Sequence, residues 1–132
     1  MKPRFRFVPL AVLAVFSSSS LLKAQRVWVE AETFQGGWVV DPQFIDIMGS
    51  PYLMAHGMGK PVADAETTVD VPEEGPYRVW VRTKDWVGPW AAPGAPGRFK
   101  VTVGDQSLEQ VFGDEGSDWM WEDGGVARLP KG

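Results

Sequence analysis

Apolar and polar residues alternate in short runs along most of this chain, and nearly every run is closed by glycine or proline. "RVWVEAE" (26–32) sets Val27, Val29 and Ala31 against Trp28, Glu30 and Glu32, the period of two that marks a β-strand. "TTVDVPEEGPYRVWVRT" (67–83) reads as strand, turn over Pro72 to Pro76, and strand, with Tyr77, Val79 and Val81 alternating against Arg78, Trp80 and Arg82. "GRFKVTVGDQSLEQVFG" (97–113) repeats the logic: Phe99, Val101 and Val103 point inward, Gly104 and Asp105 turn the chain, and Leu108 to Phe112 return. "DWMWEDGGVARLPKG" (118–132) predicts Trp119 and Trp121 on a shared face, a turn at Gly124-Gly125 and a last strand. No stretch carries a convincing helical period. The predicted architecture is all-β, an antiparallel β-sandwich.

One long stretch breaks the pattern. "KDWVGPWAAPGAPG" (84–97) holds three prolines and three glycines, which forbid a strand, yet Trp86 and Trp90 sit within it. Loops of this length in compact domains are usually functional or disordered, and two tryptophans argue against disorder.

The first 24 residues change the compartment. A basic leader "MKPRFRF", an apolar "VPLAVLAVF" and the exit "SSSSLLKA" form a secretory signal peptide, cleaved near Ala24. Its apolar part falls short of the roughly 20 residues of a membrane-spanning helix, and the chain has no cysteine to carry a lipid anchor. The expectation is a secreted or periplasmic protein with no membrane association after cleavage, and one domain over 25–132. Cleavage removes Lys2, Arg4, Arg6 and Lys23 from the 13 basic residues and none of the 17 acidic ones, leaving a net charge of about −8. Nucleic acid and anionic lipid are poor partners for such a surface. Without disulfides, a hydrophobic core or a metal must hold the domain.

Several residues invite chemistry. Glu30 and Glu32, on one face of a strand and about 6 to 7 Å apart, could be two ligands of a hard cation, a glycosidase pair, or plain solvent-facing residues. The glycosidase reading is weakest, because hydrolysis needs carboxylates on opposite sides of a sugar. His56, the only histidine, sits in "MAHGMGKPV", which satisfies neither nucleotide-binding fingerprint; a packed or hydrogen-bonded turn residue is the simpler reading. Strand tryptophans are by default core or sheet cover. Trp86 and Trp90 in the loop, with Trp38 after a Gly-Gly turn, could instead stack on the apolar face of a pyranose, with Asp85 and Arg82 as polar neighbours. The equally open alternative is that these rings cap the core or pack on a following domain.

These segments, in this order, resemble the galactose-binding-like β-sandwiches of carbohydrate-binding module families 6 and 35. "VEAE" (29–32) is similar to their first strand and "GPYRVWVRT" (75–83) to their glycine-tyrosine-arginine strand. The longer strings "GGWVVDPQFIDIMGSPYLMAHGMGKPV" (36–62), "YRVWVRTKDWVGPW" (77–90) and "APGRFKVTVG" (95–104) resemble the module at the N-terminus of secreted bacterial FAD-dependent oxidoreductases. The resemblance implies a jelly-roll sandwich here lacking its last strand or strands, hence an N-terminal fragment of a longer enzyme. It also implies a structural Ca²⁺ ion at Glu30 and Glu32, completed in those modules by a late aspartate. A non-catalytic accessory module follows, binding polysaccharide or oligosaccharide through Trp86, Trp90, Asp85, Arg82 and Trp38, with a downstream catalytic domain as its neighbour. The alternative is a structural spacer that docks on that domain and binds no sugar.

Overall fold

The computed structural model describes residues 24–93 and 96–132. The signal peptide read over 1–24 lies outside these residues except for Ala24, as do Gly94 and Ala95 of the long loop. In chain order the elements are a 3₁₀ turn (Ala31–Thr33), β1 (Gln35–Gly36), β2 (Val39–Asp41), a one-turn helix α1 (Ile45–Met48), β3 (Tyr52–Met54), β4 (Ala65–Glu66), β5 (Gly75–Thr83), a 3₁₀ turn (Gly88–Trp90), β6 (Thr102–Val103), β7 (Gln106–Ser107) and β8 (Met120–Leu129). The protein is all-β. Its strands form four small antiparallel pairs, β1 with β4, β2 with β3, β5 with β8 and β6 with β7, and none closes on itself.

Three expectations are corrected. The strand read over 26–32 does not form: the chain there is unpaired and then coils, with Thr33 N–H donating to Glu30 O at 3.1 Å and the Thr33 hydroxyl to the same oxygen at 2.7 Å. A strand needs a neighbour, and the local hydroxyl-to-backbone bond offers the chain a competing arrangement. The hairpin over 67–83 is not closed either. β5 forms over Gly75–Thr83, starting inside the turn read over Pro72 to Pro76, but its partner is β8, in register Gly75↔Leu129 through Thr83↔Met120. Val71 instead exchanges both backbone hydrogen bonds with Gly132, at 2.9 and 3.1 Å. Finally, Gly124-Gly125 is no turn. β8 runs straight through it, and the register steps from Arg78↔Val126 to Trp80↔Asp123, so β8 spends one residue more than β5 across this interval. Gly125 takes φ +82° there, the left-handed conformation that lets a β-bulge absorb the extra residue.

The 97–113 hairpin forms as read. Gly104 adopts φ +62° at the first position of the two-residue turn, Thr102 and Val103 pair with Ser107 and Gln106, and Phe99 bridges Phe112 through two bonds of 3.0 and 2.9 Å. This hairpin and the β5–β8 ribbon close the core between them. Phe112, Leu108 and Ala127 are buried at its centre, and Val79, Val81, Phe99, Val101, Val103 and Leu129 pack around them. The approach is close enough that any side chain at 124 would force its neighbours to shift, since a Cβ would lie 2.8 Å from Phe112 Cζ and 2.9 Å from Leu108 Cδ1.

A second, aromatic cluster joins α1 to the loop after β5. Phe44 meets Tyr52 at 5.7 Å, Trp86 at 5.6 Å and Trp119 at 6.0 Å between ring centroids. Lys84 sets its ammonium 5.4 Å from the Phe44 ring centre and donates to Ser117 O. Helix α1 is placed there by an Asp-Pro turn, in which the Asp41 carboxylate accepts the Gln43 N–H at 2.7 Å, and it stops at Gly49, φ +82°.

Candidate functional site

The loop after β5 is built around Asp85. Its N–H donates to Gly116 O at 2.7 Å, and its Oδ1 accepts the Val87 N–H at 3.1 Å, which sets up the 3₁₀ turn at Gly88–Trp90. A Cβ at Gly88 would lie 2.7 Å from Asp85 Oδ2. Asp85 therefore shapes the loop. Trp86 leans on Phe44 and is 43 % exposed, while Trp90 stands 71 % exposed.

The other sugar-site residues read from the sequence divide between different surroundings. Arg82 is half-buried on β5, directly opposite Trp121. Trp38 sits edge-on to Phe99 at 5.3 Å, joined to the Phe99–Phe112 stack and not to the Phe44 cluster. The loop thus brings Asp85, Trp86 and Trp90 onto one short segment, and Trp38 packs elsewhere.

Glu30 and Glu32 do not share a strand face. Glu30 caps the first 3₁₀ turn, half-buried, and accepts the Trp28 indole N–H at 2.5 Å; Glu32 lies inside the turn and is exposed. With about three residues per turn, positions two apart diverge. Among the described residues, no three acidic, histidine or cysteine side chains gather as a cation site. His56 is exposed, which removes the packed half of the packed or hydrogen-bonded turn role read for it.

Sequence reasoning missed a different surface. The outward face of the β5–β8 ribbon carries Arg78, Trp80 and Arg82 opposite Val126, Asp123 and Trp121. Trp80 is 52 % and Trp121 48 % exposed, and Trp28, 70 % exposed, meets Trp121 edge-on at 6.0 Å. These tryptophans are not core, and Trp119 and Trp121 do not pack together: the first joins Phe44 and Tyr52, the second Trp28. Arg78 donates through Nε to both Asp123 oxygens, at 3.0 and 3.1 Å, and through Nη2 to Oδ2, while its guanidinium carbon lies 5.7 Å from the Trp80 ring centre. Hydrogen bonding to Arg78, then the Gly125 N–H at 3.0 Å, holds the Asp123 carboxyl below the usual aspartate range. The signal was present in the alternation, which had already put an indole between two arginines on the side away from Val79 and Val81.

Two buried sites stand apart from these surfaces. Glu122 is buried; its Oε1 accepts from the Thr83 hydroxyl and from Gly113 N–H at 2.9 Å, while Oε2 has no partner among the described residues. Tyr52 is buried, and burial, then the charge of Asp41 and side-chain hydrogen bonding to it, raises its pKa. At the edge of the ribbon an open groove of about 620 Å³ runs between residues 106–110 and 123–126.

Searches of protein-family models, of curated proteins and of solved structures find no match to this chain.

Proposed function

We propose that this chain is an exported, non-catalytic accessory module of a carbohydrate-related enzyme, and that it binds polysaccharide through tryptophans presented to solvent. The observation that carries this reading is Trp90, which offers 71 % of its surface on a loop whose shape Asp85 dictates. The C–H face of a pyranose can cover an indole so exposed while leaving the sugar hydroxyls to neighbouring polar groups. The mechanism is proximity: modest affinity at the module raises the local concentration of the attached catalytic domain at its polymer.

The resemblance to galactose-binding-like modules extends the proposal to a β-sandwich of jelly-roll type, to a secreted FAD-dependent oxidoreductase as the parent enzyme, and to a structural calcium ion at Glu30 and Glu32. Two carboxylates supply at most four of the six to eight oxygens that calcium takes, so other oxygens must complete the shell. A second reading, a spacer that docks on its catalytic domain, is favoured by one contact, that of Trp86 on Phe44. Affinity electrophoresis against a polysaccharide panel separates the two. Retardation of the wild type that weakens in Trp90→Ala supports recognition; no retardation by any polysaccharide leaves the spacer.

A further inference from the structure

We infer that Met54, His56 and Met58 form a binding site for a soft monovalent cation, copper(I). The site goes beyond the glycan reading and stands independently of it. Three of the chain's five methionines and its only histidine lie within residues 48 to 58, and in "MAHGM" (54–58) the two thioethers and the imidazole fall at every second position. A thioether sulfur is a neutral, polarisable donor with no proton to displace; it selects Cu(I) over harder ions, and imidazole suits copper as well. The chain has no cysteine to compete for such an ion. Residues 47–63 also hold no acidic side chain, so a hard cation finds no carboxylate in this stretch.

Burial accounts for none of the three side chains. Met54 ends β3 opposite Val39 and is half-buried, while His56 is exposed. Met58 is 89 % exposed, the highest value of any large apolar side chain among the described residues. Its backbone is unusual too. Gly57 O accepts the Lys60 N–H at 3.0 Å, and between them Met58 takes φ +50° and Gly59 φ +82°, the two left-handed positions of a type I′ turn. Asparagine, aspartate or glycine ordinarily fills the first of these. A strained backbone under an exposed side chain points to a residue kept for its side-chain chemistry.

The spacing suits one ion. Positions two apart on an extended chain are about 7 Å apart, so a metal lying between Met54 and His56 is within reach of both. No helix intervenes between β3 and the turn, and the three rotatable bonds of methionine let the Met58 sulfur swing in from the turn. Two sulfurs and one nitrogen make a three-coordinate shell, which a closed-shell Cu(I) ion accepts. Zinc instead asks for four ligands drawn from thiolate, imidazole and carboxylate, and this stretch supplies one.

The test titrates the purified chain with Cu(I), kept reduced by ascorbate, against bicinchoninate, whose coloured copper complex reports the competition. The wild type should bind one Cu(I). Met54→Leu, Met58→Leu and His56→Ala should each weaken binding by about tenfold or more, because leucine nearly keeps the volume of methionine and removes the sulfur. Met48→Leu and Met120→Leu should leave the affinity unchanged. X-ray absorption of the loaded chain should show both sulfur and nitrogen neighbours. Affinity unchanged in Met54→Leu/Met58→Leu overturns the site and leaves His56 as an adventitious copper ligand only. Displacement of Cu(I) by equimolar Zn²⁺, or failure of the wild type to draw copper from bicinchoninate, overturns it as well.

Discussion

Replacing Gly124 with alanine should destabilise the protein for a different reason than replacing its neighbour Gly125. At position 124 the new methyl would stand 2.8 Å from Phe112 Cζ and 2.9 Å from Leu108 Cδ1, with Val79 O at 3.4 Å. Carbon pairs are most comfortable from about 3.5 Å outward, so two overlaps of about 0.6 to 0.7 Å must be relieved in a core where Phe112 is wholly buried. Overpacking of this kind costs about 1 to 3 kcal/mol, offset by about 0.4 to 1 kcal/mol from the stiffer unfolded chain. At position 125 a Cβ meets nothing within 4 Å, but φ is +82°, which costs an ordinary side chain about 1 to 2 kcal/mol. Asparagine tolerates that conformation and alanine does not. Urea denaturation followed by tryptophan fluorescence should therefore rank Gly125→Asn above Gly125→Ala, and Gly124→Asn below Gly124→Ala. A Leu108→Ala change, which makes room beside position 124, should absorb part of the Gly124→Ala penalty and leave that of Gly125→Ala unaltered. If asparagine is accepted equally at both positions, the pair is a hairpin turn after all and the bulge in β8 is refuted.

Other outcomes follow from the same geometry. The Asp123 carboxyl is held below its ordinary range, so its contribution to stability is present above the unfolded-state value of about 3.9 and is lost as pH falls through the lower folded value; Asp123→Asn should flatten the acid limb of a melting-temperature profile. Tyr52 shows the opposite sign: its raised pKa means stability holds below the unfolded value near 10 and declines as pH rises beyond it. Tyr52→Phe, which removes the ionisable hydroxyl, should abolish the alkaline decline, and a decline that persists in the variant would contradict that assignment. If calcium is held at Glu30 and Glu32, a chelator should lower the melting temperature of the wild type and leave Glu30→Gln unchanged. Equal melting with and without chelator in the wild type would remove the ion from the proposal.

The parts of this fold legible in the sequence are those settled within a few residues. Gly104-Asp105 between alternating runs predicts the 97–113 hairpin because a two-residue turn asks for a residue at ease with positive φ. Alternation over 75–83 correctly separates Val79 and Val81 from Arg78 and Trp80, since a period of two is a property of the strand itself. The sequence left open whether Trp90 caps the core or faces solvent, and its 71 % exposure comes from the tertiary structure. Trp80 and Trp121 stand about half exposed and outside the core, which the sequence does not disclose, because aromatic residues usually signal burial and nothing local states that the second face of a ribbon stays open.

What the sequence determined alone was the all-β class, the hairpin, and which side of β5 turns inward, each decided by side-chain periodicity and turn chemistry. What only the tertiary structure decided was the partner of β5, the conversion of Gly124-Gly125 from turn to bulge, and the coiling of Ala31–Thr33 where alternation promised a strand. The physical reason is that a strand's hydrogen-bonding edge is generic, so its partner is chosen by whichever distant segment buries the most apolar surface with it. Here that segment is β8, which seals Ala127 and the bare backbone of Gly124 against Phe112 and Leu108.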